Sequence, residues 1–205
     1  MDLELLLASL VFIVPMCFTP GPNNVLCAAH GSRFGFQATL PLISGMAIGW
    51  SSLGLMIGAA TAMIERYEAA FEALAVLGAI YIAYLGVKIA MSDTSKDAEI
   101  NGSLGVRTGV VLQLVNGKAW IHFLVLMTTF GSVFGNEYPG KVALVMLNLL
   151  FGLPAVMTWA AFGYYLSKLF TTKQSARILN GFFGIALIGV SIWIICLLYT
   201  SPSPR

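Results

Sequence analysis

Long apolar runs separated by short polar connectors fill this chain almost from end to end, and about 20 such residues in a helix cross the hydrocarbon core of a bilayer. Candidate spans fall at roughly 3–29, 36–64, 70–91, 104–134, 142–166 and 178–199. Of 205 residues, 58% are hydrophobic and 10% charged, with a mean hydropathy of +0.86. A soluble domain carries about a quarter charged residues, so this composition cannot clothe a water-facing surface. No charge-rich segment remains for an extramembrane domain. The expected fold is an all-α integral membrane protein of about six transmembrane helices, with residues 1–195 forming one domain whose halves cover about 1–92 and 103–195.

Met1-Asp2-Leu3-Glu4 enters the first span without a Lys or Arg, so that span reads as a retained helix, not a cleaved signal. At the other end, residues 196–205, Cys196 to Arg205, read like the in-frame translation of a sequencing adaptor and are set apart as non-native. Cys17, Cys27 and Cys196 lie in apolar segments without CxxC spacing, which indicates neither a disulfide framework nor a zinc site.

Lys and Arg collect on cytoplasmic loops. Arg33, Lys88, Lys96, Arg107, Lys168, Lys173 and Arg177 follow the odd-numbered spans or flank them, whereas the opposite side holds Arg66 and Lys141 among acidic residues. Both termini are therefore expected outside. Three spans per half then place the second half upside down relative to the first, a 3+3 inverted repeat common among secondary transporters. Matching interruptions support this expectation. Thr19-Pro20-Gly21-Pro22-Asn23-Asn24 breaks the first span, and Asn116-Gly117-Lys118-Ala119-Trp120 breaks the fourth. Paired breaks of this kind point to a substrate site at the repeat interface.

Pro20 and Pro22 lack amide hydrogens and release carbonyls one turn earlier. Unsatisfied backbone costs several kcal/mol in lipid, so the break belongs inside the protein or along a wet cavity. Thr19, Pro20, Gly21, Pro22 and Gly117 are accordingly the candidate break and gating residues. Asn23, Asn24 and Asn116 both donate and accept hydrogen bonds, which suits a zwitterion's carboxylate and ammonium. Asparagines that only cap a broken helix are the alternative. Lys118 lies deep in an apolar run, where a charge costs at least ~2.5 kcal/mol and marks function unless it snorkels to the surface. Trp120 reads as interfacial anchor or site wall. His30 and His122 are candidate proton relays, against the plainer reading of hydrogen-bonded structural histidines. No Asp or Glu falls deep in an expected span.

A membrane-embedded enzyme would need a nucleophile with its base or a metal cluster. HExxH, GxSxG and paired intramembrane carboxylates are all missing, and no catalytic or metal-ligating residue is assigned. A thiol relay starting from Cys17 would need a second cysteine in the fourth span. Metal export would need clustered carboxylates or histidines.

Phe18-Thr19-Pro20-Gly21-Pro22-Asn23-Asn24, followed by Gly31-x-Arg33-Phe34-Gly35-Phe36, resembles the LysE/RhtB family of amino-acid exporters. The likeness continues through Gly45-x-x-x-Gly49, Ala83-Tyr84-Leu85-Gly86-Val87-Lys88 and Leu112-x-x-x-Asn116-x-Lys118-Ala119-Trp120. One departure is Gly117, where the family usually has proline. The resemblance implies a multi-pass protein of the bacterial inner membrane that exports amino acids or related metabolites, driven by the proton motive force. It implies an amino-acid substrate, protons as coupling ion and lipid as partners, with no cofactor and no nucleic acid, and it is compatible with a homo-oligomer. Export of a metal ion or another small metabolite by a related architecture is the alternative.

Overall fold

The computed structural model describes residues 3–64, 103–135, 137–169 and 172–200, together with single positions between 76 and 91. Its helices are α1 (Leu3–Phe18), α2 (Pro22–Phe34), α3 (Phe36–Ile64), α4 (Val106–Leu114), α5 (Gly117–Thr129), α6 (Tyr138–Leu169) and α7 (Lys173–Thr200). Among the described residues there is no strand. α3 and α6 are each long and apolar enough to cross a membrane. α1 with α2, bent by 41°, and α4 with α5, bent by 62°, each make a further span when joined, which gives two to four spans among the described residues. The expected third span, with Lys88, falls outside those residues except for isolated helical positions, and Arg66 and Lys96 fall outside them entirely.

Element ends differ from expectation where local chemistry decides them. The first span, expected to stop at 29, runs on as α2 to Phe34, because the chain first takes a positive φ, 90°, at Gly35. Glycine alone adopts that backbone without penalty. The break in the fourth span is confined to Val115 and Asn116, and Gly117 already begins α5. α6 starts before 142, with Pro139 in a first turn that needs no amide donor. α7 continues through Cys196 to Thr200.

Burying apolar side chains gains little against lipid, so helices in a bilayer are held by close packing and hydrogen bonds. Small residues make that approach here. A Cβ at Gly31 would run into the Ala160 backbone, and one at Gly163 into that of Ala28. On the other side, a Cβ at Gly45 would strike Val106, and one at Gly109 would strike Leu42. The GxxxG spacing in α3 therefore serves helix contact. Gly152 lies against Cys17 and Ala160 against Gly31, so α6 runs parallel to α1 and α2. Gly45 meets Val106 while Gly49 meets Val110 and Gln113, so α3 runs parallel to α4. Each broken helix thus lies against an unbroken helix of the other half of the chain. Arg33, Arg107 and Lys168 consequently share one end of the molecule.

Two apolar cores lie on either side of the breaks. Leu26, Ala28, Leu42, Met46, Leu112 and Ala160 belong to one. Ile13, Leu53, Phe123, Leu126 and Leu144 belong to the other.

Candidate functional site

The last regular hydrogen bond leaving α1 runs from Thr19 N–H to the Pro15 carbonyl at 2.8 Å, and α2 begins with Val25 N–H donating to Gly21 O at 2.9 Å. Between them the two prolines leave carbonyls that need donors. Asn24 Nδ2 donates to the carbonyls of Cys17 and Thr19, both at 2.8 Å, and Trp159 Nε1 donates to Phe18 O at 3.2 Å. The second break is sealed similarly. Trp120 Nε1 donates to Leu114 O at 2.8 Å, so this indole closes the end of α4.

The starts of the two following helices differ. Asn116 Oδ1 accepts from Lys118 N–H at 3.1 Å and caps α5. α2 has Pro22 in its first turn and Gly21 before it, with no side chain capping it. Its positive end is left open to an anion.

Three amides tie the breaks together across the molecule. Asn23 Nδ2 donates to Gln113 Oε1 at 2.9 Å, and Asn23 Oδ1 accepts from Gln113 Nε2 and Asn116 Nδ2, each at 3.2 Å. Gln113 is fully buried. Its only mark in the sequence is a place three residues before Asn116 in an apolar run.

A cavity of about 560 Å³, its open mouth included, lies where the breaks meet. Gly21, Pro22, Asn23, Asn24, Asn116 and Lys118 line it on one side. Trp50, Met16, Cys17, Met46 and the Leu149–Val156 stretch of α6 supply the rest. Lys118 is the one charged side chain among these lining residues. Its stem lies over the first break, since a Cβ at Gly21 would come within 3.0 Å of Nζ. Nζ donates to Thr19 Oγ1 at 3.2 Å, and an ammonium has three donors. Lys118 is therefore folded into the cavity instead of reaching toward the basic end. Thr19 and Pro20 are exposed, and Gly117 is buried behind Lys118.

Neither histidine lines this cavity. His30 is buried near the basic end, where Nδ1 bonds Thr39 Oγ1 at 2.8 Å and Nε2 accepts the Leu104 amide at 2.9 Å. His122 is buried behind Trp50, bonded to Asn148 at 2.7 Å.

The LysE type translocator family matches residues 14–197. The chain belongs to this family. It is accordingly a membrane translocator and not an enzyme. It is similar to the cysteine/O-acetylserine efflux protein of Escherichia coli strain K12, 28% identical over 187 residues that cover 90% of this chain and 94% of that protein. The protein of the same description from Escherichia coli O157:H7 is 29% identical over the same shares. No solved structure matches the chain. Gly117, in place of the family's usual proline, stands at the first position of α5, where proline is also well accommodated. The break does not depend on which of the two is present.

Within the translocator, Asn24 has both a capping role and a place on the cavity wall. Replacing it with Ala should lower stability in detergent by about 1–3 kcal/mol for each carbonyl left without a donor. Thermal unfolding against the unchanged chain checks this, and no loss would mean that the carbonyls find other donors.

Proposed function

We propose that this translocator is a secondary transporter exporting a small amino acid or related metabolite across the bacterial inner membrane, driven by the proton motive force. The observation that carries the reading is a cavity at the meeting of two helix breaks, with a single ammonium set in otherwise uncharged walls. A substrate carboxylate would accept from Lys118 Nζ beside the uncapped start of α2, where full and partial positive charge add. The ammonium would meet Asn24 Oδ1. Asn23 and Asn116 each keep one further amide N–H after their mutual bonds, which lets them bind cargo without releasing each other. Met16, Cys17 and Met46 offer soft, polarizable walls to a short side chain. The cysteine and O-acetylserine named for the relatives are of that kind.

The six-span 3+3 inverted arrangement is part of the proposal, over residues 1–195, with 196–205 outside the native domain. Its support is the exchange of partners between halves: α1 and α2 lie on α6, as α4 and α5 lie on α3. The shared end of Arg33, Arg107 and Lys168 supports cytoplasmic placement of that end and both termini outside. Among the described residues no three His, Cys, Asp or Glu side chains gather, so no observation favours a metal ion as cargo.

Everted membrane vesicles carrying the chain, given labelled amino acids that include cysteine and O-acetylserine, should accumulate one or a few when a proton gradient is imposed. Accumulation that ignores the gradient would remove proton coupling. No accumulation of any compound by folded protein would overturn the amino-acid reading.

A further inference from the structure

A hydrogen-bonded line leads from the cavity wall into the core. Trp50 lines the cavity, and its Nε1–H donates to Asn148 Oδ1 at 2.6 Å. The other end of that amide, Nδ2, lies 2.7 Å from His122 Nε2. An indole N–H can only donate. Asn148 must therefore turn its oxygen to Trp50 and its amino group to His122, which makes Nε2 an acceptor. The network assigns a neutral imidazole with its hydrogen on Nδ1. Nδ1 makes no hydrogen bond, although the residue is only 1% exposed. Phe12 stacks on the ring at 5.1 Å with an interplanar angle of 13°, and Trp50 lies 5.2 Å away. A buried donor without a partner is rare and calls for a functional explanation.

We propose that His122 is a proton-binding site that, through Asn148, sets the position of Trp50 on the cavity wall. The inference rests on the transporter reading and adds the group that takes the coupling proton. A proton arriving at Nε2 places donor against donor. The Asn148 amide then turns so that Oδ1 accepts from His122, and its amino group faces the indole N–H, which has no lone pair to offer. Trp50 loses its tether and leaves its place on the wall. One proton is bound, no covalent bond between heavy atoms changes, and the cavity changes shape.

Every described element packed against the ring can be named. On α5, Lys118 lies one turn before His122; α1 presents Phe12 and, further along, Cys17; α3 presents Trp50; α6 presents Asn148. Lys141 of α6 is directed to the Gly58 carbonyl at 2.9 Å. None of these charged or titratable groups hydrogen-bonds the ring. His30 differs, because both of its nitrogens are bonded to groups away from the cavity.

The test is a fluorine resonance titration of the full chain in lipid nanodiscs, with its four tryptophans fluorinated and Trp50 assigned from a Trp50→Phe sample. In the otherwise unchanged protein the Trp50 resonance should shift on acidification from about pH 8 to about pH 4, and the shift should vanish in His122→Gln. A stationary Trp50 resonance in the unchanged protein overturns the proposal without any variant. An undiminished shift in folded His122→Gln also overturns it. No cargo is needed, so the two readings fail separately. A titrating Trp50 without amino-acid accumulation would sink the cargo assignment alone, whereas accumulation with a static Trp50 would sink the His122 site alone.

Discussion

Lys118→Met should slow gradient-driven accumulation about 10- to 100-fold while membrane abundance stays unchanged. A hydrogen bond to a charged group contributes about 1.5–3 kcal/mol, and each ~1.4 kcal/mol is a factor of ten. Methionine keeps an unbranched stem over Gly21, so the packing that brings Nζ near the first break is retained while the charge is lost. Initial rates in vesicles, normalised to protein, give the comparison. Rates equal to those of the unchanged chain would take Lys118 out of the cargo site. Lys118→Arg should recover only part of the loss, because a planar guanidinium is wider than an ammonium and the space above Gly21 is already filled to 3.0 Å.

The largest stability effect is expected at the contact between α2 and α6. Gly31→Val would push a branched side chain into the Ala160 backbone. Backbone on a packed helix cannot swing aside as a side chain can. The cost should reach or exceed about 3 kcal/mol, the upper part of the range for overpacking, and so remove most of the folded protein. Gly163→Val should behave alike, since it meets Ala28 from the other side. Gly181→Ala is the control, with nothing within 4 Å of the added carbon. Thermal unfolding and monodispersity in detergent read all three. Folded, monodisperse Gly31→Val would mean that the two helices are not held backbone to backbone.

Much of this architecture is legible in the residues because lipid restricts what a chain can do. Phe36–Ile64 is a helix at both ends where hydropathy places it, since that segment meets no conflicting demand. The Pro20 and Pro22 break is equally plain, because missing amide hydrogens have the same effect in any context. What escapes the sequence is the choice of partner. Trp120 and Trp159 turn out to close helix ends, a role that depends on where a carbonyl falls in space. Asn148 and Gln113 carry no charge that would set them apart in their spans, so their places in the amide ties stay hidden until α6 meets α3 and α4 meets α2. Trp50 likewise shows itself as a cavity wall only once the helices are assembled.

The exchange of partners between halves also bears on how the chain is made. Asn23 finds Gln113 and Asn116 only 90 and 93 residues later, and the face of α2 around Gly31 has no partner until Ala160 has been synthesised. The opening helices therefore enter the bilayer with polar groups and a bare backbone stripe still unmatched. A nascent chain stopped before Gln113 leaves the Asn23 amide without its partners and the Phe18 carbonyl without Trp159, and an unsatisfied backbone group in lipid costs several kcal/mol. Synthesis of the second half is thus what makes the first half durable.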